Sequence, residues 1–176
     1  MTYKEKLSEA MHELARNEKV LFIGQGLFDD DCFYGTLNGI KRSKMLEMPC
    51  AEILSTGVAI GLALTGWIPV LLFQRMDFML LASDQILNHA ALFERMSGGK
   101  IKVPMIIRAC VGSQDMKFDV GDQHRKDFSS LFEGYIGVLR LTKETLLDNK
   151  ESLAEYLLGY GKPIMTVEYK DSYGLA

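Results

Sequence analysis

A single carboxylate, Glu52, stands at the head of a run that carries no charge from Ile53 to Gln74, in the stretch "EMPCAEILSTGVAIGLALTG". An acid at the mouth of so apolar a segment has two readings. It can favour the positive end of a helix dipole, as acids in a first helical turn commonly do. Or it can be held in low-polarity surroundings to share a proton with a ligand. A second candidate, His124, lies in "GDQHRKD", a polar segment closing the loop that follows "VPMIIRAC", where a neutral imidazole could reach a ligand or cap the next helix. The other histidines, His12 and His89, fall on predicted helices without HExxH or other ligand spacing, so no protein metal site is expected. No GxSxG is present and no cysteine stands near a plausible base, which leaves nucleophilic hydrolysis without a candidate. "GQG" at 24–26 lacks both the third glycine of a dinucleotide fingerprint and the acid about 20 residues on, and GxxxxGK[ST] is absent.

The elements that must position Glu52 and His124 follow from periodicity. A helix through "KEKLSEAMHELARN", with Leu7, Met11 and Leu14 on one face, leads into the strand "KVLFIG" and a loop with Gly24, Gly26 and Gly35. A short strand "KMLEM" follows, then the helix that Glu52 opens, read as buried, and the strand "IPVLLFQ". Gly66 and Pro69 break the uncharged run, which excludes a single membrane span over it. One long helix is expected over "DFMLLASDQILNHAALFERM", then the strand "VPMIIRAC", a polar loop over 112–123 and the segment "IGVLRL". A helix "TKETLLDNKESLAEYLLG" capped by Thr142, and a strand "PIMTVEY", complete the pattern. Strands apolar on both faces, alternating with helices, predict an α/β fold: an open, mostly parallel sheet with helices on both faces. In such sheets ligands gather at the carboxyl ends of the strands, so function is expected in the loops after "LFIG", "KMLEM", "LLFQ" and "IIRAC".

With 176 residues and 48% hydrophobic content, residues 1–176 suit one domain with a substantial core. The net charge of −3 is dispersed and no basic cluster appears, which argues against nucleic-acid binding. Cys32, Cys50 and Cys110 lack CxxC spacing; three thiols in a sequence without a signal peptide point to a reduced, cytoplasmic setting, each as a small buried hydrophobe.

Five motifs in order carry a resemblance: "P-x-x-E" from Pro49 to Glu52, "G-x-A-x-G" from Gly57 to Gly61, Asp84-Gln85, "M-S-G-G" at 96–99, and "Q-H" at 123–124. From about Met1 to Tyr173 the sequence resembles the amino-terminal half of the beta subunits of pyruvate and branched-chain 2-oxoacid dehydrogenases. That half is the pyrimidine-binding domain of the transketolase-like thiamin-diphosphate enzymes. The resemblance implies that Glu52 hydrogen-bonds a ring nitrogen of the cofactor's aminopyrimidine, promoting formation of the thiazolium carbanion. It implies that Phe78, which would equally suit core packing, stacks on that ring, that Gln74 lines the pocket, and that His124 lies beside the reacting 2-oxoacid. Gln25 falls where those subunits carry glutamate, and its cofactor contact is read from that position. The family's Gly-Asp-Gly and downstream asparagine, which hold the diphosphate and its Mg2+, have no match beyond "GDQ" at 121–123, and no carboxyl-terminal domain is expected. The expectation is therefore a split enzyme: a pyrimidine-binding subunit completed by a diphosphate-binding, alpha-like partner, as a heterotetramer with two copies of each. The acyl group of a 2-oxoacid would pass to a lipoyl group or, in acyloin-forming carboligation, to an aldehyde or ketone. A split transketolase is the alternative within enzymes. A non-catalytic regulatory paralogue ranks lower, because Glu52 is retained.

Overall fold

The first helix, α1 (Tyr3–Arg16), is set by a reciprocal cap: the Thr2 hydroxyl accepts from the Glu5 N–H, and the Glu5 carboxylate accepts from the Thr2 N–H. Its buried stripe of Tyr3, Leu7, Ala10, Met11 and Leu14 follows the 3.6-residue period and lies against the sheet. The computed structural model describes residues 1–114, 121–147 and 152–174. Strands β1 (Val20–Gly24), β2 (Met45–Glu47), β3 (Ile68–Phe73), β4 (Ile106–Val111), β5 (Gly137–Leu141) and β6 (Ile164–Tyr169) form one sheet in the order β2-β1-β3-β4-β6-β5. All five pairings are parallel.

Alternation along each central strand feeds two cores. Ile23, Leu71, Phe73, Ile107 and Ala109 face α2 (Glu52–Leu64) and the helical segments after β3. Phe22, Val70, Leu72 and Ile106 face α1 and α6 (Leu153–Tyr160). The open, parallel, two-sided architecture is the one the sequence predicts. The edge strands depart from it: each of β2 and β5 keeps a single buried residue, because an edge strand packs against one neighbour only.

Four further expectations need correction. Helix α2 is not buried all round, since Ile53, Leu54 and Leu64 are exposed. The helix expected over 77–96 is a series of short pieces: α3 (Met76–Met79), a 3₁₀ turn (Leu80–Ala82), a π segment (Gln85–Ala90) and α4 (Phe93–Met96). Met76, Met79, Ala82, Ile86 and Ala90 all reach one core, at spacings of three, three, four and four; the winding tightens and then widens to keep them there. The helix expected over 142–159 is described as α5 (Lys143–Leu147) and α6, and residues 148–151 of it lie outside the described residues. Thr142 caps the first through Thr145 N–H, while Ser152, in extended conformation, caps the second through Glu155 N–H. Of the three cysteines only Cys110 is fully buried; Cys32 is half-buried and Cys50 exposed. Of the polar loop 112–123, residues 115–120 lie outside the described residues. No helix among the described residues is long and apolar enough to cross a membrane.

Candidate functional site

Strand order reverses between β1 and β3: the chain leaves β1 for β2 on one side and returns to β3 on the other. Loops after two such strands turn away from each other and leave a crevice at their carboxyl ends. A narrow pocket opens there, lined by Gly24 and Gln25 after β1, Phe73, Gln74 and Arg75 at the end of β3, Phe78 of α3, and Glu52 and Ser55 of α2. Its volume is about 20 Å³, too small to surround a ligand.

Glu52 is the first residue of α2 and only 8% exposed. Its backbone carbonyl accepts from the Thr56 hydroxyl at 2.8 Å, but its carboxylate has no hydrogen bond or ion pair among the described residues. A carboxylate serving only the helix dipole needs no burial, and one serving as a cap bonds a first-turn N–H; Glu52 does neither. The carboxylate is left open to the pocket, where a donor could meet it.

The walls are held by polar contacts behind them. Glu47, at the end of β2, accepts from the N–H groups of Gly26 at 2.8 Å, Leu27 at 2.7 Å and Phe28 at 3.0 Å, a cradle that fixes the loop carrying Gln25. Gln25 donates from Nε2 to the Pro49 carbonyl at 3.0 Å and so ties that loop to the entry of α2. Gly26 has φ +70°, and a Cβ there would collide with the Gln74 side-chain nitrogen. Only glycine lets Gln74 lie where it does. Sequence reading missed Glu47; its signal was an acid inside an otherwise apolar short strand.

Beyond Phe78 the wall continues. The Phe78 and His124 rings meet edge to face, with centroids 5.2 Å apart, and both line a wider, mostly apolar cleft with Leu80, Leu81 and Phe128. His124 belongs to a 3₁₀ turn, Asp122–His124, reached after β4. Gly112, just past β4, lets this segment approach: a Cβ there would strike the His124 carbonyl oxygen. The structure thus brings Glu52, Gln74, Gln25 and Phe78 into one pocket and sets His124 at its rim against Phe78. His12 and His89 lie elsewhere, His12 donating from Nε2 to the Asn38 carbonyl at 2.9 Å and His89 beside Asp84.

On the other side of Gln74 lies a cluster that periodicity does not reveal. The Tyr34 hydroxyl donates to the Gln74 carbonyl at 2.9 Å, and Arg75 donates to the Tyr34 oxygen and, at 2.8 Å, to the same carbonyl. Tyr34 ends three consecutive left-handed residues, Cys32, Phe33 and Tyr34, with φ of 42°, 52° and 58°. Each such residue costs of the order of 1–3 kcal/mol and persists only where its surroundings impose it. Burial of Phe33 under the Arg108 guanidinium, 4.9 Å from its ring, is one such constraint. Burial pushes the Tyr34 phenol up to about 12. Among the described residues no three His, Cys, Asp or Glu side chains converge as metal ligands.

The open, all-parallel sheet with its crevice at the β1/β3 reversal has a transketolase-like fold. A split-gene transketolase, solved as an inactive β4 tetramer, superposes with a TM-score of 0.70 over 97% of this chain and 52% of that one, at 17% identity. No family model matches the sequence. In sequence the chain is similar to the beta subunit of acetoin:2,6-dichlorophenolindophenol oxidoreductase of Cupriavidus necator, 30% identical over 99% of this chain and 55% of that protein. It is similar also to the mitochondrial pyruvate dehydrogenase E1 component subunit beta of Saccharomyces cerevisiae, 31% identical over 99% of this chain and 48% of that protein. This chain is a relative of those beta subunits and spans about half the length of the curated relatives it matches.

Proposed function

We propose that the chain is the pyrimidine-binding part of a thiamin-diphosphate enzyme that acts on a 2-oxoacid and passes its acyl group to an acceptor. The observation that carries this reading is Glu52: a largely buried carboxylate with no partner among the described residues, lining a narrow crevice at the carboxyl ends of β1 and β3. The residues present fit the cofactor's aminopyrimidine. Glu52 would hold a proton shared with a ring nitrogen, Gln74 and Gln25 would line its polar edge, and Phe78 would cover its face. When bound, thiamin diphosphate supplies a carbon nucleophile at its thiazolium ring. His124, against Phe78 at the rim, would orient the substrate and give or take a proton at the oxygen of the transferring acyl group.

A pocket with one wall needs a second. Next to it, α2 exposes Ile53, Leu54 and Leu64, and nothing lies within 4 Å of where a Cβ on Gly57 or Gly61 would stand. An apolar helix face with two bare glycine positions suits close packing of a partner. In this proposal the partner is an alpha-like subunit that holds the diphosphate and Mg2+, in a heterotetramer with two copies of each chain. Free thiols at Cys32, Cys50 and Cys110 suit a cytoplasmic setting.

The likeness to the acetoin oxidoreductase beta subunit favours a second reading of the acceptor, in which the substrate or product is an acyloin. A transketolase-type ketol transfer rests on likeness of fold only.

Mixing the chain with its alpha-like partner should accelerate hydrogen–deuterium exchange at the reactive thiazolium carbon over cofactor alone, while calorimetry of the isolated chain should find negligible affinity for thiamin diphosphate and Mg2+. Tight binding of both by the isolated chain would refute the division of labour, and a complex that leaves exchange at the solution rate would refute the catalytic reading.

A further inference from the structure

Arg75 is one residue past Gln74 and lines the same pocket as Glu52. It is half-buried, and its hydrogen bonds to the Tyr34 oxygen and the Gln74 carbonyl both come from one nitrogen, Nη1. Nε and Nη2 make none among the described residues. A guanidinium presents a planar fork of five N–H donors, so the part turned from Tyr34 remains available for a planar or tetrahedral anion.

A second cation stands close by. The Lys170 ammonium lies 3.2 Å from the centre of the Tyr34 ring and 4.6 Å from that of Tyr173, while the Arg75 guanidinium carbon lies 5.6 Å from the same Tyr34 ring. One aromatic ring therefore holds two half-buried cations, and the Lys4 ammonium adds a third charge where a Cβ on Gly35 would fall. Burial holds the Lys170 ammonium down to about 8; Arg75 and Lys4 push the same way, and Cys110 and Asp31 push back. Two acids stand near it: Asp31, which is exposed, and Glu168, which is already bound by Arg108 and Tyr173. Gathering like charges at a partly dehydrated site is unfavourable unless an anion completes it. The site also has a fixed frame: Tyr34 is held by the left-handed run Cys32–Tyr34, and Tyr173 by its 2.6 Å hydrogen bond to Glu168. On the far side, the backbone of the His124 segment passes over Gly112, whose Cβ position is 3.5 Å from Arg75 Nε.

We propose that Arg75, backed by Lys170, is the anion-recognition group of this site and holds the negatively charged head of the substrate, a carboxylate or a phosphate, beside His124. The inference rests on the substrate reading above and deepens it. The carboxylate of a 2-oxoacid and the phosphate of a phosphorylated ketose offer the same chemistry to a guanidinium. A neutral acyloin offers none of it.

Binding at Arg75 requires neither cofactor nor partner, so it is testable on the isolated chain and its failure is distinct from a failure of thiazolium exchange. Lysines labelled by reductive 13C-methylation keep their charge and report on Lys170 by NMR. Pyruvate or inorganic phosphate should move the Lys170 signal saturably and raise its titration midpoint, whereas acetoin should not. Saturation at tenfold lower pyruvate than phosphate identifies the 2-oxoacid head, and the reverse order a phosphorylated one. Arg75→Met should abolish the response. Should that variant fail to fold, Tyr34→Phe keeps the ring and removes the oxygen that orients Arg75, and it should weaken binding severalfold. An equal shift with acetoin, no saturable shift with either anion, or an unchanged anion response in the variants would overturn the proposal.

Discussion

Two buried glutamates stand at the carboxyl ends of this sheet and meet opposite fates. Glu168, on β6 and 1% exposed, accepts from Arg108 Nε at 2.6 Å and Nη2 at 2.8 Å, and from the Tyr173 hydroxyl at 2.6 Å. Arg108 in turn donates to the Thr36 hydroxyl and lies over the Phe33 ring. Glu52, 8% exposed at the start of α2, has no such partner among the described residues. The first is a closed network, in which each carboxylate oxygen taken from water meets a donor within the fold. The second is an open valence. The difference teaches what marks a candidate functional acid: low exposure is common to both, and satisfaction within the fold is what differs.

Two substitutions sharpen that contrast, the larger effect first. Glu168→Gln leaves the Arg108 guanidinium buried without its counter-charge, and breaking a buried pair from one side costs about 3 to 5 kcal/mol. Urea denaturation should show that loss as a lowered midpoint, and a loss under about 1 kcal/mol would mean the network carries little of the fold. His124 lies on the pocket side of the comparison, so His124→Ala should leave the denaturation midpoint nearly unchanged. In the reconstituted complex it should lower turnover by about 10²-fold or more, the scale of a positioned acid or base, with thiazolium exchange nearly intact. Equal losses in turnover and exchange would make His124 a structural residue.

Much of this was legible in the sequence. Alternating apolar strands and helices define the parallel sheet, and the carboxyl-end rule puts function in the loops where the pocket opens. Glu52 was visible because one charge heads 22 residues without another, from Ile53 to Gln74. The winding after β3 was not, because the same apolar spacing fits an ideal helix and one that tightens and then widens. Nor was the exposed face of α2: the helix reads as buried, since hydrophobicity alone does not separate a core face from one left exposed, where Ile53, Leu54 and Leu64 stand. The Arg75–Tyr34–Lys170 cluster was hidden for another reason. Its members lie 41, 95 and 136 positions apart in pairs, and they meet only because β1, β3 and β6 end on the same edge of the sheet.

The most direct measurement concerns Glu52. Glu52→Gln keeps the shape of the side chain and a hydrogen-bond donor but cannot exchange a proton with a ring nitrogen. In the reconstituted complex at saturating cofactor, hydrogen–deuterium exchange at the reactive thiazolium carbon should slow by about 10²-fold or more, roughly 3 kcal/mol of barrier, while folding and subunit assembly survive. A helix-dipole role predicts instead a stability loss of about 0.3 to 1 kcal/mol with exchange untouched. An unchanged exchange rate in a folded, cofactor-loaded Glu52→Gln complex would contradict the account and remove Glu52 from the chemistry.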